Sequence, residues 1–293
     1  MMVVKISGRK AQWAQKWSSL LALCFVLIST PSLAEEPLVF GILPAESPVS
    51  LYKRFLPLRN YLSKRLQREV SIESAKDFAQ HIQRTDRRRY DIVFTAPHLV
   101  LRAIEGEQYQ VVATTVKQLS AVVVVPEQSA IRTLKDLEGK QVATPPTDAV
   151  VTMVGENYLK AEMEKAGVPN WINVQFTPYR THNAAYKAAL AGDADVAVIA
   201  NFIYQNAIKD GEKLRKIVAS PQFPGMGILV AKDVGEMEIK AIRQAFLDLD
   251  TSSEGKEVLK KISLPAYASV NKKDFELMRP YINNLHLLGT TVE

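Results

Sequence analysis

Tyr52, Thr95, His98, Thr144, Thr147, His182 and Asn201 combine hydrogen-bonding side chains with positions close to the ends of short apolar runs. Hydroxyl, imidazole and carboxamide groups so placed can donate to a small ligand, and a histidine at a strand-to-helix turn can offer one N–H to an anion, with a charge state that makes binding depend on pH. The two halves of the chain echo each other around these positions. Tyr90–His98 (YDIVFTAPH) and Ala194–Asn201 (ADVAVIAN) each carry an aspartate, an apolar run that reads as a buried parallel strand, then small or polar residues where a helix should start. In open α/β sheets ligands sit at that junction, outside the carboxyl ends of strands. Two such junctions imply two lobes gripping one ligand. Thr95 and Asn201 occupy equivalent places after the two runs, although each also fits a helix N-cap that meets no ligand, and Tyr52 is equally placed to cover the edge of the core.

The elements that must position these groups alternate between strand and helix signals, which argues for an α/β architecture with mainly parallel sheets. Strands are expected at 38–43, 70–72, 91–94, 121–125, 141–143, 174–176, 196–199 and 228–231. Helical spacing appears in Leu51, Phe55, Leu58, Leu62 and Leu66, with Pro57 marking a kink or a restart, and again near 151–166 and 183–191. Pro221–Gly227 reads as a crossover, and the later helices, carrying Ile242, Phe246 and Phe275, need a first-lobe sheet to pack on. The expected organisation is a discontinuous first lobe, 35–118 with 222–293, and a continuous second lobe, 119–221, joined by crossings near Thr115–Ala121 and Ser220–Gly225.

Residues 1–34 read as an export signal: Lys5, Arg9, Lys10 and Lys16 precede the apolar run Leu20–Ile28, and Ser32-Leu33-Ala34 supplies small residues for cleavage. The apolar run is shorter than the ~20 residues that a spanning helix needs. Four of the 37 basic residues and none of the 31 acidic ones lie in this segment, which leaves 33 against 31 in the remainder. The net charge of +6 therefore belongs largely to the signal and gives no ground for nucleic-acid binding. Cys24, the single cysteine, also lies there, so the exported chain has no disulfide, thiolate ligand or cysteine nucleophile and must rely on its core. The expected location is the periplasm.

Other chemistry is not supported. His81, His98, His182 and His286 have no close metal-ligand spacing, no serine sits in a nucleophile elbow, and no glycine-rich loop with lysine cradles a phosphate. Arg84, Arg87, Arg88 and Arg89 form a basic cluster that reads as a solvated turn. Neither an enzyme nor a cofactor is expected.

The run Ala121–Glu127 (AVVVVPE) followed by Ile131–Ala143 (IRTLKDLEGKQVA) resembles the second-lobe entry of periplasmic solute-binding proteins. Taken with Phe55–Leu62 (FLPLRNYL), Tyr90–Pro97 (YDIVFTAP) and His182–Asp193 (HNAAYKAALAGD), it makes the chain similar to the phosphonate-, phosphate- and phosphite-binding subfamily of type II binding proteins. The resemblance implies a receptor whose two lobes close by hinge motion on a small solute and deliver it to an ABC permease, or, as the alternative, a sensory module signalling through a membrane histidine kinase or cyclase. By motif, His182 matches the histidine that contacts the phosphonate group. Other positions depart from the family pattern. The serine-threonine pair that caps the anion falls near Asp148-Ala149, the first-lobe tyrosine is Phe78, and the carboxylates that recognise an amino group fall at Phe202 and Met226. An aspartate aimed at a phosphonate would repel it, and the lost carboxylates weigh against an aminoalkyl ligand.

Overall fold

The computed structural model describes residues 36–282 apart from 46, 169 and 170. The export segment, Cys24 and His286 lie outside the described residues.

The chain begins with β1 (Leu38–Ile42), α1 (Pro48–Leu66), β2 (Val70–Ser74), α2 (Phe78–Asp86), β3 (Ile92–Thr95), α3 (Pro97–Glu105) and β4 (Tyr109–Thr115). It then enters β5 (Ala121–Pro126), β6 (Gln141–Thr144), α4 (Val150–Lys165), β7 (Gln175–Pro178), α5 (His182–Ala191), β8 (Val196–Ala200), α6 (Asn201–Lys209) and β9 (Leu214–Ala219). It returns through β10 (Gly227–Ala231), α7 (Glu236–Leu247), α8 (Ser253–Ile262), β11 (Tyr267–Ala268) and α9 (Lys272–Glu276). Two sheets result, ordered β11-β4-β10-β3-β1-β2 and β7-β6-β8-β5-β9.

Each sheet holds a parallel trio, β2-β1-β3 in one lobe and β7-β6-β8 in the other. The first strand after each passage between sheets is antiparallel to its neighbours: β5 lies between β8 and β9, and β10 between β3 and β4. The sheets are therefore mixed, with helices packed on them in the two-lobed α/β manner.

Local physics explains most of these elements. In α1, Leu51, Phe55, Leu58 and Leu62 are buried at helical spacing, and the helix runs through Pro57 without a restart. Its core is lined by Phe40, Phe55, Phe94 and Phe246, with Phe55 and Phe246 edge-on to Phe40. The arginine cluster is occupied structurally. Arg84 and Arg89 pair with Glu73, while Arg88 pairs with Asp91 and Asp233. These partly exposed pairs order a turn and contribute little stability individually.

In the second lobe, α4 lies directly on the sheet because residue 155 is glycine. A Cβ there would stand 2.3 Å from Val198 Cγ1. Gly155→Leu is expected to lower stability by about 1–3 kcal/mol or more through overpacking, read as a drop in urea midpoint. An unchanged midpoint would mean that α4 can lift off the sheet at no cost.

The end of the described chain spans both lobes. Helix α9 packs on α3, while the turn Arg279–Tyr281 packs on α4, where Asn157 Nδ2 donates to the Tyr281 carbonyl at 2.9 Å. Phe223, Met278 and Ile282 share one buried cluster with Val93 and Leu229 of the first sheet and Val123 and Val198 of the second.

Candidate functional site

The topology gathers the chemistry on one edge. The parallel strands β1, β3, β6 and β8 end there, and the antiparallel strands start there, with Gly227 opposite Thr95 and Ala121 opposite Ala200. Both connections between the lobes consequently lie along this edge. They pair with each other through Leu119 and Phe223, whose backbone N–H groups each donate to the other's carbonyl at 2.9 Å. Gly225 permits the close approach, since a Cβ there would lie 2.1 Å from Thr115 Oγ1 and 2.6 Å from the Lys117 carbonyl.

The aspartates of the echo serve the opposite edge. Asp91 Oδ2 accepts from Val39 N–H at 2.6 Å, and Asp195 Oδ2 accepts from Gln141 N–H at 2.9 Å. Each carboxylate fastens its strand to the start of the neighbouring parallel strand, so the repeated motif is acid at the pinned end and helix start at the other.

Six helices follow the parallel strands or their connections to this edge, and they start in two ways. Ser47, Asp77 and Thr181 cap α1, α2 and α5 with their own side chains. Ala96, Ala149 and Ala200 begin α3, α4 and α6 with no side-chain cap. An uncapped first turn keeps N–H groups and the positive end of the helix dipole available to an anion.

The residues singled out from sequence are distributed as follows. Thr95 is the last residue of β3 and is 1 % exposed, with Oγ1 at 3.2 Å from His81 Nε2. His98, in the first turn of α3, is 2 % exposed and its Nδ1 has no partner. Thr144 ends β6 fully buried with an unpartnered hydroxyl, and Thr147 is exposed in the loop before α4. Tyr52, in the first turns of α1, is 47 % exposed.

His182 and Asn201 come together. His182 Nδ1 accepts from Ala200 N–H at 3.2 Å, next to Asn201, whose own N–H donates to the Ser120 carbonyl at 2.9 Å. Because Nδ1 accepts, the neutral imidazole carries its proton on Nε2 and presents a donor. Burial pushes the His182 pKa down to about 4, so this donor is uncharged at neutral pH.

The departures from the family pattern also acquire places. Asp148 is exposed and does not cap α4, whose N-cap is Ala149. Phe78 and Met226 pack over Leu43, Ile82, Ala96 and Leu99, forming an apolar surface at the first-lobe side of the edge. Phe202 lies beside His182 with ring centroids 6.5 Å apart, and Lys117 Nζ stands 4.3 Å above the Phe202 ring. Sequence reasoning passed over Lys117, which sits in a loop with no motif around it, and over the three cap alanines, whose significance is the absence of a side-chain oxygen. It also passed over His81, which supports Thr95. Among the described residues no group of three or more His, Cys, Asp or Glu side chains could hold a metal ion.

Comparison with known proteins identifies the family and the fold. A family profile described as "ABC transporter, phosphonate, periplasmic substrate-binding protein" matches residues 40–275. A Xanthomonas citri protein bound to chloride ion superposes with a TM-score of 0.70 at 16 % identity, covering 83 % of this chain and 96 % of that one. PhnD1 from Prochlorococcus marinus in complex with methylphosphonate gives 0.64 at 18 % identity, covering 83 % and 95 %. A binding protein component of an ABC phosphonate transporter from Pseudomonas aeruginosa gives 0.61 at 18 % identity, covering 87 % of each chain. Members of the family are substrate-binding proteins rather than enzymes. With a match across most of its length and the two-lobed fold to accompany it, the chain belongs to the periplasmic substrate-binding proteins of phosphonate ABC transporters.

Proposed function

We propose that this protein captures a small oxyanion of the phosphonate or phosphate type in the cleft between its lobes and delivers it to an ABC permease. The observation that carries the reading is the pairing of three uncapped helix starts, at Ala96 on one lobe and at Ala149 and Ala200 on the other, with the His182 Nε2 donor. The N–H groups left in these first turns, where Pro97 has none and Leu99, Thr152 and Asn201 already donate to carbonyls, would converge on negative charge from both sides, and contacts completed only on closure would favour the closed state. His182, Asn201, Thr144 and Thr147 would serve from the second lobe. Thr95, His98 and Tyr52 would serve from the first, the two buried groups chiefly by fixing the α3 turn.

In this reading residues 35–118 with 222–293 and residues 119–221 move as two bodies about the paired connections, the packing of Arg279–Tyr281 on α4 being a contact between the two, and residues 1–34 direct export to the periplasm. Among the described residues no helix is long and apolar enough to cross a membrane. A thermal-shift series with methylphosphonate, phosphite and phosphate tests the ligand class. A ligand that binds only the folded state raises Tm, by about 2.7 kcal/mol of added stability at a hundredfold excess over Kd. No shift with any phosphorus oxyanion, together with a shift by an uncharged solute, would sink the proposal.

A further inference from the structure

We infer that Lys117 selects the ligand: it takes the anionic group and turns away solutes that carry an ammonium group, so the preferred ligand is an oxyanion with an uncharged substituent. This deepens the proposed function and rests on it for the site's location. Lys117 lies in the connection between β4 and β5, on the edge where the strands of both lobes end. Its backbone is held against the second connection, because its carbonyl packs where Gly225 has no Cβ. Its ammonium stands 4.3 Å over the Phe202 ring, and that ring lies beside His182. No carboxylate pairs with Lys117 among the described residues. The Lys117 charge is therefore held by a ring face in the middle of the hinge, open to a second, anionic partner.

The same arrangement discriminates by repulsion. A ligand small enough to touch His182 and Phe202 would bring an ammonium group of its own close to Lys117, where like charges in a partly desolvated cleft oppose each other. The residues at the positions of the family's carboxylates provide no charge to offset this. Phe202, Phe78 and Met226 have no acceptor that could pair a ligand ammonium, and Phe78 and Met226 cover an apolar cluster suited to an alkyl or aryl group.

The test is calorimetric titration of the full exported chain and of its Lys117→Gln and Lys117→Arg variants. The probes are methylphosphonate, 2-aminoethylphosphonate, inorganic phosphate and methanesulfonate. Lys117 is exposed, so the variants should retain the unliganded Tm, which checks folding. The wild type should bind methylphosphonate at least about tenfold more tightly than 2-aminoethylphosphonate. Lys117→Gln should lose about tenfold or more in methylphosphonate affinity and narrow that gap, while Lys117→Arg keeps both.

Unchanged methylphosphonate affinity in Lys117→Gln, or equal wild-type affinity for the aminoethyl compound, would overturn the assignment. Binding of methanesulfonate but of no phosphorus anion, lost in Lys117→Gln, would uphold Lys117 while removing the phosphorus reading. If none of the four anions binds, both fall.

Discussion

Replacing His182 with alanine is expected to weaken methylphosphonate binding by about 10- to 100-fold, because a hydrogen bond to a charged group contributes about 1.5–3 kcal/mol. The structure also sets the form of the effect. With Nδ1 accepting from Ala200 N–H and burial holding the pKa at about 4, His182 would enter binding as a neutral Nε2 donor. The variant should therefore lose affinity by a similar factor at every pH between about 6 and 8, where that imidazole does not titrate. This differs from the expectation that the charge of this histidine would make binding pH-dependent near neutrality; burial moves the transition out of that range. Calorimetry of wild type and variant across pH decides it. Full affinity in His182→Ala would remove the residue from the site, and a loss confined to the acid side would mean that the imidazolium is the donor.

The fold was readable where strands are buried on both faces. Ala121–Pro126, Val196–Ala200 and Gly227–Ala231 are continuous apolar runs because helices cover both sides of the sheets there. Two long strands escaped for opposite reasons. In β9 (LRKIVA), at a sheet edge, Lys216, which is exposed, and Arg215, whose guanidinium donates to the Ser129 and Ile131 carbonyls, break the apolar signal. In β4 (YQVVATT) the strand lies inside the sheet, but its threonines and Gln110 blur the pattern, and its register with β10 shifts midway. The candidate site reads from the sequence as a place more than as a set of contacts. Strand ends located the edge, yet composition gave no sign that Thr95 and His98 would be enclosed, or that a lysine from a loop would stand over Phe202. Those facts depend on packing between segments far apart in sequence.

The enclosed histidines predict a steep loss of stability in mild acid. Burial lowers the pKa of both His81 and His98 from 6.5 to about 4, with the Arg84 guanidinium adding to the effect at His81. The geometry agrees with neutral rings: each Nδ1 is buried without a partner, and His81 Nε2 is engaged only with the Thr95 hydroxyl. Above pH 6.5 neither the folded nor the unfolded chain binds a proton at these sites, and their contribution is fully present. As pH falls below 6.5 the unfolded chain takes up two protons that the folded chain refuses, so stability drops until the folded sites titrate at about 4. Each histidine accounts for roughly 3 kcal/mol over that interval, and together they give a slope near 2.7 kcal/mol per pH unit in its middle. Urea unfolding at closely spaced pH values measures the slope directly. His98→Leu, which replaces a ring with an unpartnered Nδ1 by an apolar side chain, is expected to keep most of the stability at pH 7.5 and remove about a third of the total acid slope, since His182, also held at about 4, adds a share equal to those of His81 and His98. A wild-type profile that stays flat between pH 6 and 4.5 would show that these rings gain protons in the folded state, and that the region around Thr95 admits water.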